Sequence, residues 1–241
     1  MNFLLLLVLL TPPATTRHPL RIAFINEVGG QPLVPGRRHY TNRFNEPFVL
    51  LQCKYYISGL HASNRQGEEL LLPQPHLVDQ ADSASLELLL TTALDSITTL
   101  TFSIGVDSGY NNGGVQSGDL DPMLGMFWTW NTGYINARLE GISDSAHAPA
   151  HRFTWDIGGY RPGQNALRTV TLQLPNPCCK EILIHADLLH FFDGAHPIHI
   201  AQSPICHEPG SLAMELADNY ATLFSLHDAV NARHVAVGAV P

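Results

Sequence analysis

The side chains best suited to chemistry crowd into one stretch, 125–134, reading GMFWTWNTGY. It holds Trp128 and Trp130, two of three tryptophans in 241 residues, beside the thioether of Met126. Just upstream lies a glycine-spaced loop that carries Asp107, Asn111, Asp119 and Asp121. Carboxylates, amides and free carbonyls on such a backbone are what calcium asks for, about six to eight oxygens at flexible geometry. The spacing is not that of an EF-hand, and the same residues also write a run of Asx-turns. Thirteen histidines are mostly scattered singly. Two groupings stand out, His147 with His151 and, around a proline, His196 with His199. A turn made by Gly194 and Pro197 would let His196 and His199 reach one ion. Imidazole suits copper, iron, nickel or zinc and thioether suits Cu(I), so Met126 with nearby histidines favours copper.

Nucleophilic chemistry lacks its usual marks. There is no G-x-S-x-G elbow, no H-E-x-x-H and no glycine loop opening a helix onto a phosphate, and Gly113-Gly114 lies in a polar loop. No spacing suggests a two-histidine, one-carboxylate redox centre. No catalytic residue is assigned, and the chain reads as a binding protein and not an enzyme. Cys53, Cys178, Cys179 and Cys206 form an even set. One of the adjacent pair bonded to Cys206 would close the loop 187–204; a set of buried free thiols is the other reading. Neither the adjacent pair nor Cys206-His207 has zinc-finger spacing.

These residues need a scaffold, and composition limits it. With 45% hydrophobic residues, 241 residues can bury a full core as one domain. Charged residues are 14% and the net charge is −8, so no basic surface exists to neutralise nucleic-acid phosphates. The apolar run 3–10 is shorter than the roughly 20 residues a helix needs to span a bilayer, and Thr11-Pro12-Pro13-Ala14 stops it. It reads as an export signal over 1–16, although without Lys or Arg before the apolar run. No cysteine follows for a lipid anchor. The expected setting is periplasmic or secreted, with one domain over 17–241 and no membrane span.

Strands are predicted at 20–26, 48–58, 69–78, 85–90, 97–104, 152–157, 167–174 and 180–186, most rich in β-branched or aromatic residues and bounded by Gly, Pro, Asn or Asp. Residues 169–174 alternate polar and apolar, the pattern of a strand buried on one face. One helix is predicted at 211–224, where Leu212, Leu216, Tyr220 and Leu223 fall at helical spacing. The expected fold is all-β: two antiparallel sheets packed as a jelly-roll or Greek-key-like sandwich, with a short C-terminal helix.

The order of several short motifs carries a family resemblance. Tyr40-Thr41-Asn42, Lys54-Tyr55-Tyr56-Ile57-Ser58, Ile104-Gly105-Val106-Asp107, Gly118-Asp119-Leu120-Asp121-Pro122, the long pattern GMxWxWxxGY at 125–134, Ile157-Gly158-Gly159 and Ala217-Asp218-Asn219-Tyr220-Ala221 together resemble the MbnP-like copper-binding domains of methanobactin cassettes. The likeness runs from about residue 20 to 227. It implies an exported β-sandwich that acquires, holds or transfers copper, in some relatives through histidine nitrogens and a tryptophan oxidised to kynurenine by a di-haem protein of the MauG type. Trp128 and Trp130 are then the candidates for oxidation, and Met126, Asp156, His196 and His199 the further copper candidates. Opening an indole yields an aniline nitrogen and a carbonyl, acceptor groups that the donor-only indole lacks. The chain departs from the pattern at Asp156, where relatives often carry a histidine before Ile-Gly-Gly. His185, His196 and His199 are left to compensate. The competing reading is a calcium-braced sandwich whose Trp128, Trp130 and Tyr134 hold a carbohydrate or a partner protein.

Overall fold

The computed structural model describes residues 16–130, 133–178 and 180–226. The apolar run at 3–10 with its cleavage position, Asn131 and Thr132 of the tryptophan stretch, Cys179 and the tail after 231 lie outside them. In chain order the strands are β1 (His18–Val28), β2 (Gln31–Pro32), β3 (Tyr40–Thr41), β4 (Pro47–Ser63), β5 (Glu68–Leu72), β6 (His76–Asp79), β7 (Glu87–Thr92), β8 (Ile97–Ile104), β9 (Phe127–Trp128), β10 (Gly133–Ile142), β11 (Arg152–Gly158), β12 (Arg168–Cys178), β13 (Glu181–Asp187), β14 (Ile205–Cys206) and β15 (Phe224–Leu226). The α-helices are α1 (Ser108–Asn112), α2 (His190–Asp193) and α3 (Ser211–Tyr220).

Two sheets make the sandwich. The smaller runs β15-β13-β1, and the far edge of β1 is shared by β7 and β2. The larger runs β12-β8-β4-β10-β11-β14. Its centre is the 17-residue β4, one edge of which serves β10 at residues 49–55 and then β8 at 57–63, with β6 and β5 opposite. Where β8 and β10 part, the Gly105 amide donates to the Tyr56 carbonyl (2.9 Å) and the Val106 amide to Asn136 Oδ1 (3.0 Å). Only glycine fits there: Gly105 has φ 110°, and a Cβ would lie 2.3 Å from the Asn136 side chain.

Alternation along the strands sorts side chains into two apolar clusters. Ile22, Phe24, Tyr55, Phe102 and Trp155 belong to the main core, with Phe192 of α2. Tyr56, Leu77, Met126, Trp128, Tyr134 and Ile135 form a second cluster. Adjacent Tyr55 and Tyr56 thus point to opposite faces, as a strand requires. Pairing of β10 with β11 slips between Ile135 and Ala137. That bulge is why Ile135 faces the second cluster while Ala137, two residues on, faces the main core.

The sandwich is as expected; several details are not. The run 69–78 divides into β5 and β6 because Pro73 and Pro75 cannot donate to a ladder. Residues Ser83–Leu86 form a 3₁₀ turn capped by Asp82 before β7 starts. The helix ends at Tyr220 and the chain turns into β15, so 221–224 is not helical. β10 has no counterpart among the predicted strands. Its outward Arg138 and Glu140 and its buried Asn136 disguise the alternation. Two pairs, β1 with β13 and β11 with β14, run parallel within otherwise antiparallel ladders. Cys53, Cys178 and Cys206 are free thiols. Cys206 is buried in the main core while the Cys178 thiol donates to the Glu181 carbonyl (3.0 Å), so these two do not close the loop 187–204. Among the described residues no helix is long and apolar enough to cross a membrane.

Candidate functional site

The tryptophan stretch folds into a hairpin: Trp128 pairs with Gly133 and Phe127 with Tyr134. Trp128 is buried against Gly158, where a Cβ would sit 2.8 Å from indole Cζ3 and 2.7 Å from the Tyr134 carbonyl oxygen. The glycine of the Ile157-Gly158-Gly159 motif is therefore the seat of this indole. Trp130 is 64% exposed, and its ring touches that of Trp128 at a centroid distance of 5.7 Å. Met126 is sealed inside the second cluster, and its carbonyl accepts from the Ile135 amide (2.9 Å).

Two adjoining cavities open beside Trp130. One, of about 180 Å³, is lined by Gly159, Tyr160, Arg161 and Gln164; the Arg161 guanidinium lies 5.8 Å from the Tyr160 ring centre. The other, of about 370 Å³, is lined by Ile205, Cys206, His207 and the start of α3. Trp130, Glu208 and Pro209 line both.

Asp156 lies behind this wall. It faces Arg138 directly across β10 and β11 and takes a bidentate pair from it, Nε to Oδ1 at 2.5 Å and Nη2 to Oδ2 at 2.8 Å. A fork of this kind is among the stronger polar contacts available to a carboxylate. His207 Nδ1 stands 3.8 Å from Asp156 Oδ2. That proximity exists because β14 pairs in parallel with β11, Cys206 opposite Trp155. Along the chain nothing signals it beyond the bare dipeptide Cys206-His207, which matches no metal-binding spacing. Burial, with a smaller contribution from Asp156, pushes the Cys206 thiol up to about 12.

The other histidine candidates have separate partners. His196 Nε2 lies 3.0 Å from Asp218 Oδ2 on α3, and the other oxygen of Asp218 accepts from Arg168 Nε (2.6 Å). Burial would raise the Asp218 carboxyl, but the Arg168 and His196 hydrogen bonds outweigh it and hold it below the usual range. The ring of His199 stacks on Phe44 at 3.9 Å. The following backbone is pinned by buried Glu46, whose carboxylate accepts from the amides of Ile200 and Ala201, both at 2.9 Å. Neither His196 nor His199 lines the cavities beside Trp130. His185 faces Glu27 at 3.3 Å on the smaller sheet. Among the described residues no group of three or more His, Cys, Asp or Glu is arranged to hold a metal ion.

The oxygen-rich loop uses its donors internally. Asp107 caps α1 by accepting from the amides of Gly109 (2.7 Å) and Tyr110 (3.0 Å). Asp121 accepts from the Met123 amide at 2.9 Å. Asp119 accepts from His76 Nδ1 at 2.7 Å and from the Leu77 amide at 3.2 Å. Asn111 accepts from the Tyr134 amide (2.8 Å), while its Nδ2 donates to the Val106 carbonyl (2.8 Å). At Asp107 and Asp121 this is the geometry of Asx-turns, while Asn111 braces the Tyr134 end of the tryptophan hairpin.

The MbnP family model matches residues 17–208. The chain belongs to the MbnP family. The matched span contains the tryptophan hairpin, its Gly158 seat, His207 and Glu208, and stops before α3. The solved structure of MbnP from Methylosinus trichosporium is similar to this chain with a TM-score of 0.58, over 82% of this chain and 83% of that one, at 14% identity. At that identity the likeness shows a shared fold. No curated protein matches the sequence.

Proposed function

We propose that this MbnP-family chain is an exported, periplasmic or secreted protein that binds copper beside Trp130, and that Trp130 is the tryptophan converted to kynurenine by a di-haem partner of the MauG type. The observation that carries the reading is the placement of Trp130. It is open to an external oxidant, in ring contact with Trp128, and shares a cavity wall with one imidazole, His207, and one carboxylate, Glu208. These two donors suit copper and would hold it from the protein side. Asp156 does not join them, because both its oxygens are taken by Arg138. Two native donors leave a coordination shell unfilled, which gives the modification its purpose. Uptake of dioxygen, or its equivalent from peroxide, opens the indole C2–C3 bond; hydrolysis then releases the former C2 carbon as formic acid. An aniline nitrogen and a ketone remain, for a gain of about four daltons. Trp128, wedged between Gly158 and the second cluster, keeps its indole and positions its neighbour.

The test is the intact mass and peptide map of the protein purified from its own host, with metal analysis of the same sample. The expected result is the gain on Trp130, with copper present and both lost in Trp130→Phe. Unmodified tryptophans and no copper would overturn the reading. The alternative, a binding module for a carbohydrate or protein, draws on Tyr160, Arg161 and Gln164 lining the smaller cavity. It predicts that tryptophan fluorescence responds to glycans and ignores copper.

A further inference from the structure

A net charge of −8 conceals a local excess of cation. Over most of the described surface the basic side chains are neutralised where they stand: Arg17, Arg21, Lys54, Arg138, Arg152 and Arg168 each meet a carboxylate. The turn between β2 and β3 is different. Arg37, Arg38 and His39 follow one another there and Arg43 comes just after β3, so three of the chain's 13 Lys and Arg fall within 37–43. The Arg37 side chain is exposed and makes no hydrogen bond or ion pair among the described residues. Arg38 reaches only the Pro32 carbonyl, at 3.4 Å. Arg43 is 55% exposed, with Asp193 3.5 Å away and its guanidinium 5.0 Å from the Phe44 ring centre; so solvated a pair leaves the cation available. Neighbouring carboxylates are engaged elsewhere. Buried Glu46 accepts from the Asn42 side chain and from the Ile200 and Ala201 amides, and Glu27 faces His185.

The backbone that carries these cations is held from both ends. Buried Tyr40 accepts from the Val34 amide (3.0 Å) and donates to the Pro32 carbonyl (3.1 Å). Gly36, at φ 69°, donates to the Leu50 carbonyl of β4 (2.8 Å), which ties the reversal to the centre of the larger sheet. After β3, Asn42 Oδ1 accepts from the amides of Phe44 and Glu46, both at 3.0 Å. The arginines therefore project from an ordered loop, and binding to them does not have to order it. We propose that residues 36–43 form a docking surface for an acidic segment of a partner protein, with Arg37 and Arg38 as its anchors and Arg43 at the flank. The guanidinium fork matches carboxylates, and arginine is the cation enriched in protein interfaces. A bilayer fits the surface less well. Lipid surfaces hold proteins by clusters of about 4–8 cations or by apolar side chains inserted beside them, and none of the exposed large hydrophobic residues lies within 31–45. Three arginines also fall short of the roughly 6–10 phosphate contacts of a nucleic-acid binder. None of these residues lines the cavities beside Trp130, so the inference is independent of the copper reading.

Fluorescence anisotropy of a dye-labelled octaglutamate peptide titrated with the full-length protein tests it, with octaglutamine and phosphatidylglycerol vesicles as comparison probes. The variants are Arg37→Gln/Arg38→Gln and, as an equal loss of exposed charge elsewhere, Arg65→Gln/Lys180→Gln, each checked for folding by circular dichroism. Octaglutamate is expected to bind at about 0.05 M salt and to be released at about 1 M, where the screening length is about 3 Å. Its affinity should fall about tenfold in Arg37→Gln/Arg38→Gln and stay within about twofold in Arg65→Gln/Lys180→Gln. No binding of octaglutamate, equal weakening in the two variants, or octaglutamine bound as tightly would overturn the proposal. Vesicles bound in preference to the peptide would overturn it too, in favour of a bilayer site.

Discussion

Replacing Arg138 by methionine removes the cation that allows Asp156 to be buried. In the wild type the two side chains are 21% and 9% exposed and joined by two short hydrogen bonds. Methionine keeps much of the hydrophobic stem but leaves a carboxylate almost out of water, with the His207 ring 3.8 Å away. Breaking a fully buried ion pair from one side costs about 3–5 kcal/mol. Because one fifth of Arg138 is wet, water reaches the vacated site and the expected loss falls to about 2–4 kcal/mol. For a domain of this size that lowers the melting temperature by roughly 5–15 °C. Urea unfolding followed by circular dichroism measures the loss directly, and a double-mutant cycle isolates the pair. Arg138→Met/Asp156→Leu should recover most of the stability, since neither charge then remains buried. A loss under about 0.5 kcal/mol in the single variant, or strict additivity in the cycle, would refute the argument that Arg138 is what allows Asp156 to be buried.

Other outcomes test the scaffold around the site. Gly158→Ala places a methyl group 2.7 Å from the Tyr134 carbonyl oxygen and 2.8 Å from the Trp128 ring; the expected cost is about 1–3 kcal/mol, with Trp128 emission shifting to the red, and an unchanged melt and spectrum would show that the indole is not seated there. Burial pushes the thiols of Cys53 and Cys206 up to about 12, so iodoacetamide at pH 8 should alkylate half-buried Cys178 first and reach the other two only on unfolding. Rapid native labelling of Cys53 would contradict the packing described. Removal of divalent ions by chelator should leave the melting temperature unchanged, because Asp107 and Asp121 accept capping amides, Asp119 accepts from His76 and Asn111 from the Tyr134 amide. A fall of several degrees would restore calcium as a brace of the loop.

Local order was legible in the chain itself. Alternation marks 169–174, a β-branched and aromatic run marks 97–104, and both lie in strands. The motif GMFWTWNTGY announces by residue type alone where oxidisable rings concentrate. These readings succeed because side-chain period and steric volume act over a few residues. β10 escaped because a bulge at 135–137 and polar residues on its outer face break the alternation on which recognition of a strand depends. The grouping of donors escaped for a different reason. Seventy-seven positions separate Trp130 from His207, and what joins them is the parallel pairing of a two-residue strand with β11. Likewise nothing along the chain ties Arg138 to Asp156 until register sets them face to face. Ring chemistry and copper-compatible donor types are properties of residues and can be read from their order. Which donors converge, and which are buried or already bonded, follows from long-range pairing and burial, and only the folded chain decides that.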